Sequence, residues 1–309
     1  MAVLPANGTS RSVANPSVVA TPATTSCSVG SEPEFSGYDP VNHETYVPIF
    51  GSGEVVVLSN PCKVALVFDL GSSAEPVQAT FDPQDNYVYV SDYHLNQVYV
   101  ISGKSIIAEI KGFDEPTGIT YDPVMGDMAI ASTGNNTVIF VYGTSIDPYD
   151  PAVSVGSRPY QICYDPLWSE LLVTNSGSDT VSVLNASSGS YLRTAYVGST
   201  PLGIVADPAD GCIYVAGFDS DDVTCIIDGK SQFTISGFDD PAGVTWNQAT
   251  LQVYVANYGS GTVFAISGTS IVKKITIGTG SEPYGLSYDD ATDKVYVSGL
   301  NSGDVYVIS

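Results

Sequence analysis

The segment Gln252–Asn257, with the sequence QVYVAN, decides the fold because close relatives of it recur along the chain. Each copy is a short apolar run, rich in β-branched and aromatic residues, that leads into Asn, Asp or Gly. This pattern is typical of a buried strand followed by a turn. The relatives occupy residues 87–92, 171–175, 213–216 and 295–298. A strand that recurs at a nearly fixed interval predicts a repeat protein.

An aromatic residue followed by Asp-Pro marks the length of the repeat. The marker position falls at residues 39, 82, 122, 165, 207, 247 and 289, and its sequence degenerates in the last three copies. Successive marker positions are 43, 40, 43, 42, 40 and 42 residues apart. Units of this length are typical of four-stranded propeller blades. The sequence therefore predicts an all-β fold, a seven-bladed β-propeller of four-stranded blades.

The two ends of the chain predict how the ring closes. Ser309 follows directly on the third strand of the last unit, so that unit lacks its outer strand. Residues 23–30 precede the first unit at the place where an outer strand belongs. We expect this N-terminal strand to complete the last blade, which also removes an open sheet edge. Residues 22–309 are assigned to a single propeller domain, and residues 1–21, rich in Ala, Pro, Ser and Thr, to a flexible tail or linker.

The repeat resembles the YVTN family of β-propellers, whose motif is echoed by LVTN at 172–175 and YVAN at 254–257. The similarity covers roughly residues 22–309, and it departs from the pattern at 47–48 and 128–130. The resemblance implies kinship with archaeal surface-layer and cell-envelope proteins. Similar seven-bladed propellers also include lactonases and streptogramin lyases. The resemblance specifies architecture more than function, since fold and activity separate readily.

The charge balance excludes one class of partner. The formal net charge is −23, from 10 Lys and Arg against 33 Asp and Glu. A uniformly acidic surface repels the phosphates of nucleic acids and anionic membrane headgroups, so we expect no nucleic-acid binding. The sequence contains no run of about 18 apolar residues, and no membrane span is predicted.

The five cysteines form no CxxC pair, which argues against a zinc site or a haem attachment. The simplest interpretation is that they are buried thiols on strands. A single disulfide is the alternative, and the sequence does not say which residues would form it. The cysteines are Cys27, Cys62, Cys163, Cys212 and Cys225.

Acidic residues gather on one predicted face of the propeller, which we call the entry face. It carries the loop that leads into each first strand and the loop between the second and third strands. The candidate binding residues there are Glu32, Glu75, Asp114, Glu115, Asp239, Asp240, Glu282 and His94. One interpretation is a mouth that binds Ca²⁺ through carboxylates and loop carbonyls. The other, which we favour, is solvated loop acids that share a face, so we name no metal ligand.

Catalytic motifs do not emerge from the sequence. There are only two histidines, His43 and His94, and neither a GxSxG elbow nor a Walker-type phosphate loop is present. His94 lies on the predicted entry face, where it could act as a base. We therefore assign no catalytic residue.

Two other features suit an exported protein with a binding surface. The sequons at Asn135 and Asn185 are compatible with glycosylation. Four tyrosines lie in or near entry-face loops, where they would supply contact area for a protein or a glycan. They are Tyr93, Tyr160, Tyr258 and Tyr284.

Three functions are compatible with these observations. The leading hypothesis is a non-enzymatic extracellular or cell-envelope propeller that serves structure, assembly or adhesion, with protein or glycan partners at the cell surface or with copies of itself. The rival is a propeller enzyme of the lyase or lactonase type that uses a carboxylate-held metal at the channel mouth. The third is a soluble ligand-binding module that uses the same mouth.

Overall fold

The computed structural model describes residues 20–22, 25–59, 61–148 and 152–309. Within these ranges all regular structure is β-strand, and the strands form seven sheets. No helix in the described ranges is long and apolar enough to cross a membrane. The predicted seven-bladed propeller is confirmed.

Each blade runs from an inner strand at the channel to an outer strand at the rim. The inner strands are β3 (Gly37–Asp39), β7 (Pro76–Asp82), β11 (Pro116–Asp122), β16 (Pro159–Asp165), β20 (Pro201–Asp207), β24 (Pro241–Asn247) and β28 (Pro283–Asp289). The second strands are β4 (Glu44–Ile49), β8 (Tyr87–Asp92), β12 (Asp127–Ser132), β17 (Glu170–Asn175), β21 (Cys212–Gly217), β25 (Gln252–Asn257) and β29 (Lys294–Gly299).

The third strands are β5 (Glu54–Ser59), β9 (Gln97–Ser102), β13 (Thr137–Tyr142), β18 (Thr180–Asn185), β22 (Asp222–Ile227), β26 (Thr262–Ser267) and β30 (Asp304–Ile308). The outer strands are β6 (Lys63–Asp69), β10 (Ser105–Lys111), β14 (Ser145–Ile146) with β15 (Val153–Ser154), β19 (Tyr191–Tyr196), β23 (Lys230–Ser236), β27 (Ser270–Thr276) and β2 (Thr25–Ser28). Finally, β1 (Ala20–Pro22), at the end of the segment expected to be a tail, pairs in parallel with β27.

The marker turns explain why each inner strand reverses into the second strand. In all seven blades the marker side chain accepts a hydrogen bond from the backbone N–H two residues later, as when Asp82 Oδ1 accepts from Gln84 at 2.8 Å. Such a bond stabilises a tight turn, and Asn replaces Asp with the same geometry at Asn247.

The core lies between blades. Seven hydrophobic clusters fill the seven interfaces between neighbouring blades, including the one between the last blade and the first. Each unit starts at a proline, which we call the opening proline: Pro33, Pro76, Pro116, Pro159, Pro201, Pro241 or Pro283. In four of the units glycine follows the opening proline by two residues because the next strand approaches closely there. A Cβ atom on Gly243 would lie 2.2 Å from the carbonyl oxygen of Tyr284.

The ring closes as the sequence predicts. Strand β2 pairs antiparallel with β30, with Ser26 opposite Tyr306 and Cys27 opposite Val305. The N-terminal strand therefore completes the last blade and covers the edge that β30 would otherwise leave open.

The cysteine prediction is wrong for four of the five residues. Cys27 is bonded to Cys62, and Cys212 to Cys225, while Cys163 is a buried free thiol. In each bridge the Cα atoms are 5.5 Å apart, which suits a disulfide. The first bridge joins residues that become neighbours only when blade 7 meets blade 1, so spacing along the sequence did not reveal it.

Candidate functional site

The inner strands surround a central channel with a cavity of about 660 Å³. Exposed marker-turn residues, among them Pro40, Pro83 and Asp290, line one of its ends, so the cavity opens on the face opposite the entry face. Apolar side chains and glycines of the inner strands line most of the wall.

Aromatic rings close the channel at the entry face. The hydroxyl oxygens of Tyr160 in blade 4 and Tyr284 in blade 7 lie 2.7 Å apart and share a hydrogen bond across the channel. The ring of Phe35, in blade 1, lies 6.1 Å from that of Tyr160 and 5.1 Å from that of Tyr284. Side chains from three blades thus meet at the axis of the ring.

The aromatic contacts continue outward from the axis. The Tyr258 ring lies 6.2 Å from that of Tyr284 and 5.7 Å from that of Phe218. These separations are typical of attractive ring pairs. We call the five rings the aromatic cluster; they belong to Phe35, Tyr160, Phe218, Tyr258 and Tyr284.

A buried acid sits beside the aromatic cluster. Glu34 is only 9% exposed, and within the described part of the chain its Oε2 atom has no hydrogen-bond partner. Burial and, to a smaller extent, the charge of Glu32 raise the pKa of Glu34 to about 8. Burial also raises the pKa values of Tyr160 and Tyr284, and the negative charge of Glu34 contributes to both increases.

A solvent-facing groove adjoins the aromatic cluster, and we call it the entry groove. Its volume is about 570 Å³, and its walls include Glu32, Tyr258, Glu282 and the loop 300–303. The Tyr258 hydroxyl donates a hydrogen bond to Glu282 Oε2 at 2.8 Å. The groove therefore combines two carboxylates with the exposed edge of the aromatic cluster.

The backbone holds the entry residues, by which we mean the residue directly before each opening proline. At six of the seven entry positions φ lies between 49° and 58°, the left-handed region. Each entry carbonyl accepts an N–H from the loop between the second and third strands, as when Phe50 donates to Glu32 at 3.0 Å. The six left-handed entry residues are Glu32, Glu115, Arg158, Thr200, Asp240 and Glu282.

Of the predicted acidic set, only Glu32 and Glu282 line the entry groove. The others are distributed around the face, where neighbouring polar side chains fix their backbones. The N–H of Glu75 donates to Asp92 Oδ1 at 3.0 Å, and Asp114 and Ser132 bond each other through backbone and hydroxyl.

The same arrangement recurs at the remaining predicted acids. The N–H of Glu115 donates to Asn96 Oδ1 at 2.7 Å, and that of Asp239 to Asn257 Oδ1 at 3.3 Å. Asp240 donates its N–H to Asp221; burial and then nearby acids, Asp221 first, raise its pKa.

His94 is exposed in its loop. In the described residues no three His, Cys, Asp or Glu side chains are grouped so that they could hold a metal ion. The acids therefore do not fit the Ca²⁺ mouth considered from the sequence.

Sequence reasoning missed Glu34 and Phe35, although the chain contains a signal for Glu34. Glu34 directly follows an opening proline, and it is the only charged residue at that position among the seven units. The other units have Val77, Thr117, Tyr160, Leu202, Ala242 and Tyr284 there.

Comparisons with known proteins identify solved structures with a similar fold. No protein-family model and no curated protein matches the chain. Among solved structures, the chain is similar to virginiamycin B lyase from Staphylococcus aureus, with a TM-score of 0.79 at 16% identity over 90% of this chain and 95% of that one. A streptogramin B lyase aligns with a TM-score of 0.78 at 13% identity, over 94% of this chain and 95% of that one.

Hydrazine synthase from Kuenenia stuttgartiensis aligns with a TM-score of 0.77 at 16% identity, over 97% of this chain and 99% of that one. These proteins share the seven-bladed architecture. At such low identities the similarity establishes the fold alone.

Proposed function

We propose that the chain is a non-enzymatic extracellular or cell-envelope propeller whose entry face binds a partner in assembly or adhesion. The observation that supports this function is the entry groove together with the aromatic cluster. Tyrosine rings provide a large contact area at low cost in conformational entropy, and the hydroxyls give that area polar specificity. The hydrogen-bonded backbones at the entry positions keep the surface rigid, so little conformational entropy is lost on binding.

The disulfides are consistent with an exported protein. Two bridges among five cysteines are expected in an oxidising compartment and are rare in the cytosol of mesophiles. The acidic surface keeps such a protein soluble and is compatible with partners that carry positive groups.

Self-association and surface binding test this function. The full chain is followed by sedimentation over a wide concentration range, by electron microscopy for sheets or filaments, and by pull-down with cell-wall polysaccharides and surface proteins. We expect association that is weakened by Tyr258→Ala with Glu282→Ala and unaffected by Glu75→Ala, an acid at the equivalent position of blade 2. A chain that stays monomeric and captures none of these surface components would contradict the proposal.

A second candidate function is a lyase-type enzyme, and one observation favours it. A carboxyl with a pKa near 8 can hold or release a proton at neutral pH, and Glu34 lies beside the hydroxyls of Tyr160 and Tyr284. Three of the similar structures are lyases, and one of these is virginiamycin B lyase solved as a catalytically inactive variant with quinupristin. The sequence-based hypothesis of a lyase or lactonase also included a metal held by carboxylates, and the described residues contain no donor set that fits such a metal.

Mass spectrometry separates the two candidates. The purified chain is incubated with quinupristin and with a panel of simple lactones. Turnover that disappears in Glu34→Gln would support the enzyme, whereas an absence of products at high enzyme concentration favours the binding module.

A further inference from the structure

We infer that the site formed by Glu34, the aromatic cluster and the entry groove binds an organic ammonium group, either an amine or a quaternary nitrogen. This inference rests on the proposed function, because it names the chemistry of the group that the entry face would hold. The argument has three steps, which concern the unpaired acid, the aromatic rings and the contrast with Ca²⁺.

The unpaired acid is the first step. A buried polar atom normally has a hydrogen-bond partner, because an unsatisfied one costs free energy. Glu34 Oε2 has none among the described residues, and the ion pairs found there involve Glu170 and Asp228 instead. A cationic group beside this oxygen would offset the charge of the ionised carboxylate, and a primary ammonium would also donate a hydrogen bond to it.

The aromatic rings are the second step. The faces of Tyr and Phe rings attract cations through their quadrupoles, and the attraction grows as the cation loses water. Phe35, Tyr160 and Tyr284 meet beside Glu34, and Tyr258 extends the aromatic surface into the groove. Groups of aromatic rings recognise quaternary ammonium ligands in this way.

The third step separates an organic ammonium group from Ca²⁺. Ca²⁺ requires six to eight oxygen ligands, and no group of three acids in the described chain is arranged to supply them. An ammonium group needs only one or two carboxylates together with apolar or aromatic contacts. Glu32 and Glu282 on the groove walls supply further negative charge at its entrance.

Isothermal titration with simple probes tests the inference. The probes are choline, methylammonium and neohexanol, which is a neutral isostere of choline. We expect choline to bind at least about tenfold more tightly than neohexanol, and methylammonium to show whether a primary amine suffices. Glu34→Gln should weaken choline binding by about tenfold or more, whereas Glu75→Gln should leave it unchanged.

Proton release provides a readout that a merely structural role would not change. A bound cation lowers the pKa of Glu34, so binding near neutral pH should release protons, and affinity should rise with pH up to about 8. The titratable groups around Glu34 are Glu32 from its own segment, Tyr284 from the neighbouring blade 7 and Tyr160 from blade 4 across the channel; Glu282 faces the groove. Titrations in buffers of different ionisation enthalpy measure the released protons.

The outcomes are distinct. Equal binding of choline and neohexanol, or the same affinity and proton release in Glu34→Gln, would overturn the inference. If Glu34→Gln does not fold, Glu282→Gln takes its place and should weaken choline binding while Glu75→Gln does not. Surface association that persists while no ammonium probe binds would reject the ammonium site and leave the proposed function standing.

Discussion

Breaking the Cys27–Cys62 disulfide tests how the ring is held closed. Strand β2 has only four residues, and backbone bonds to β30 and this bridge to blade 1 fix it. The bridged residues are 35 positions apart. In the chain-entropy model a loop of that size restricts the unfolded chain by about 13 cal/mol/K, or about 3.8 kcal/mol at 25 °C. Cys27→Ser with Cys62→Ser should lower the free energy of unfolding by about that amount.

The second disulfide is a matched control. Cys212 and Cys225 lie in one hairpin of blade 5 and are 13 positions apart, so the same model gives about 2.9 kcal/mol. Both residues are buried, and alanine is the better replacement there because it adds no polar group. Its removal should lower stability without touching the ring closure.

Urea unfolding measures the two free energies, and hydrogen exchange locates the effect. In the Cys27/Cys62 variant we expect faster exchange at the amides of β2 and β30, because the strand that closes the ring opens locally. In the Cys212→Ala/Cys225→Ala variant those amides should remain protected. Unchanged exchange in β2 together with a loss below about 1 kcal/mol would show that backbone pairing alone closes the ring.

Three further substitutions follow from the same structure. Folded Glu34 keeps its proton up to about pH 8, whereas the unfolded chain loses it near pH 4.5, so the free energy of unfolding of the wild type falls as the pH rises across this window. Glu34→Gln should remove up to about 5 kcal/mol of that fall, as measured by urea unfolding at several pH values. Equal pH slopes in the two proteins would contradict this. Gly243→Ala places a methyl group against the Tyr284 carbonyl and should cost about 1–3 kcal/mol in thermal unfolding. Gln78→Ala removes an amide that both accepts from and donates to the Ile119 backbone at 2.9 Å, and should cost about 1–3 kcal/mol by urea unfolding.

The fold could be predicted because its signals are local and repeated. The turn at Asp82 is formed within two residues of the marker, and six other units repeat it. Errors in one unit do not matter when the others agree. The departures at Val47 and Met128 illustrate this, since both residues are fully buried in regular second strands. The ring closure was predictable for a related reason, because the last unit lacked one strand and the N terminus supplied one.

The site could be predicted only in part because its contacts are not local. Tyr160 and Tyr284 are 124 residues apart, and their hydroxyls meet only because the channel is narrow enough for side chains from opposite blades to touch. Periodicity placed Glu32 and Glu282 on the correct face, but it placed five other acids there as well. It could not say that only these two share a groove, nor that Cys27 meets Cys62.

A repeat protein forms a specific site where its repeats differ. If the residue after each opening proline were the same in every blade, the entry end of the channel would present a nearly symmetric ring with no preferred orientation for a ligand. The turn markers remain alike because every blade needs the same turn. At the position of Glu34 the seven residues differ in size, polarity and charge from blade to blade. The inner strands bring these residues together around one axis. A single acid there lies beside two tyrosines whose hydroxyls bond each other, so the surface gains a direction that the ring does not have. Variation within the repeat, measured position by position, therefore points to the site more directly than the repeat itself does.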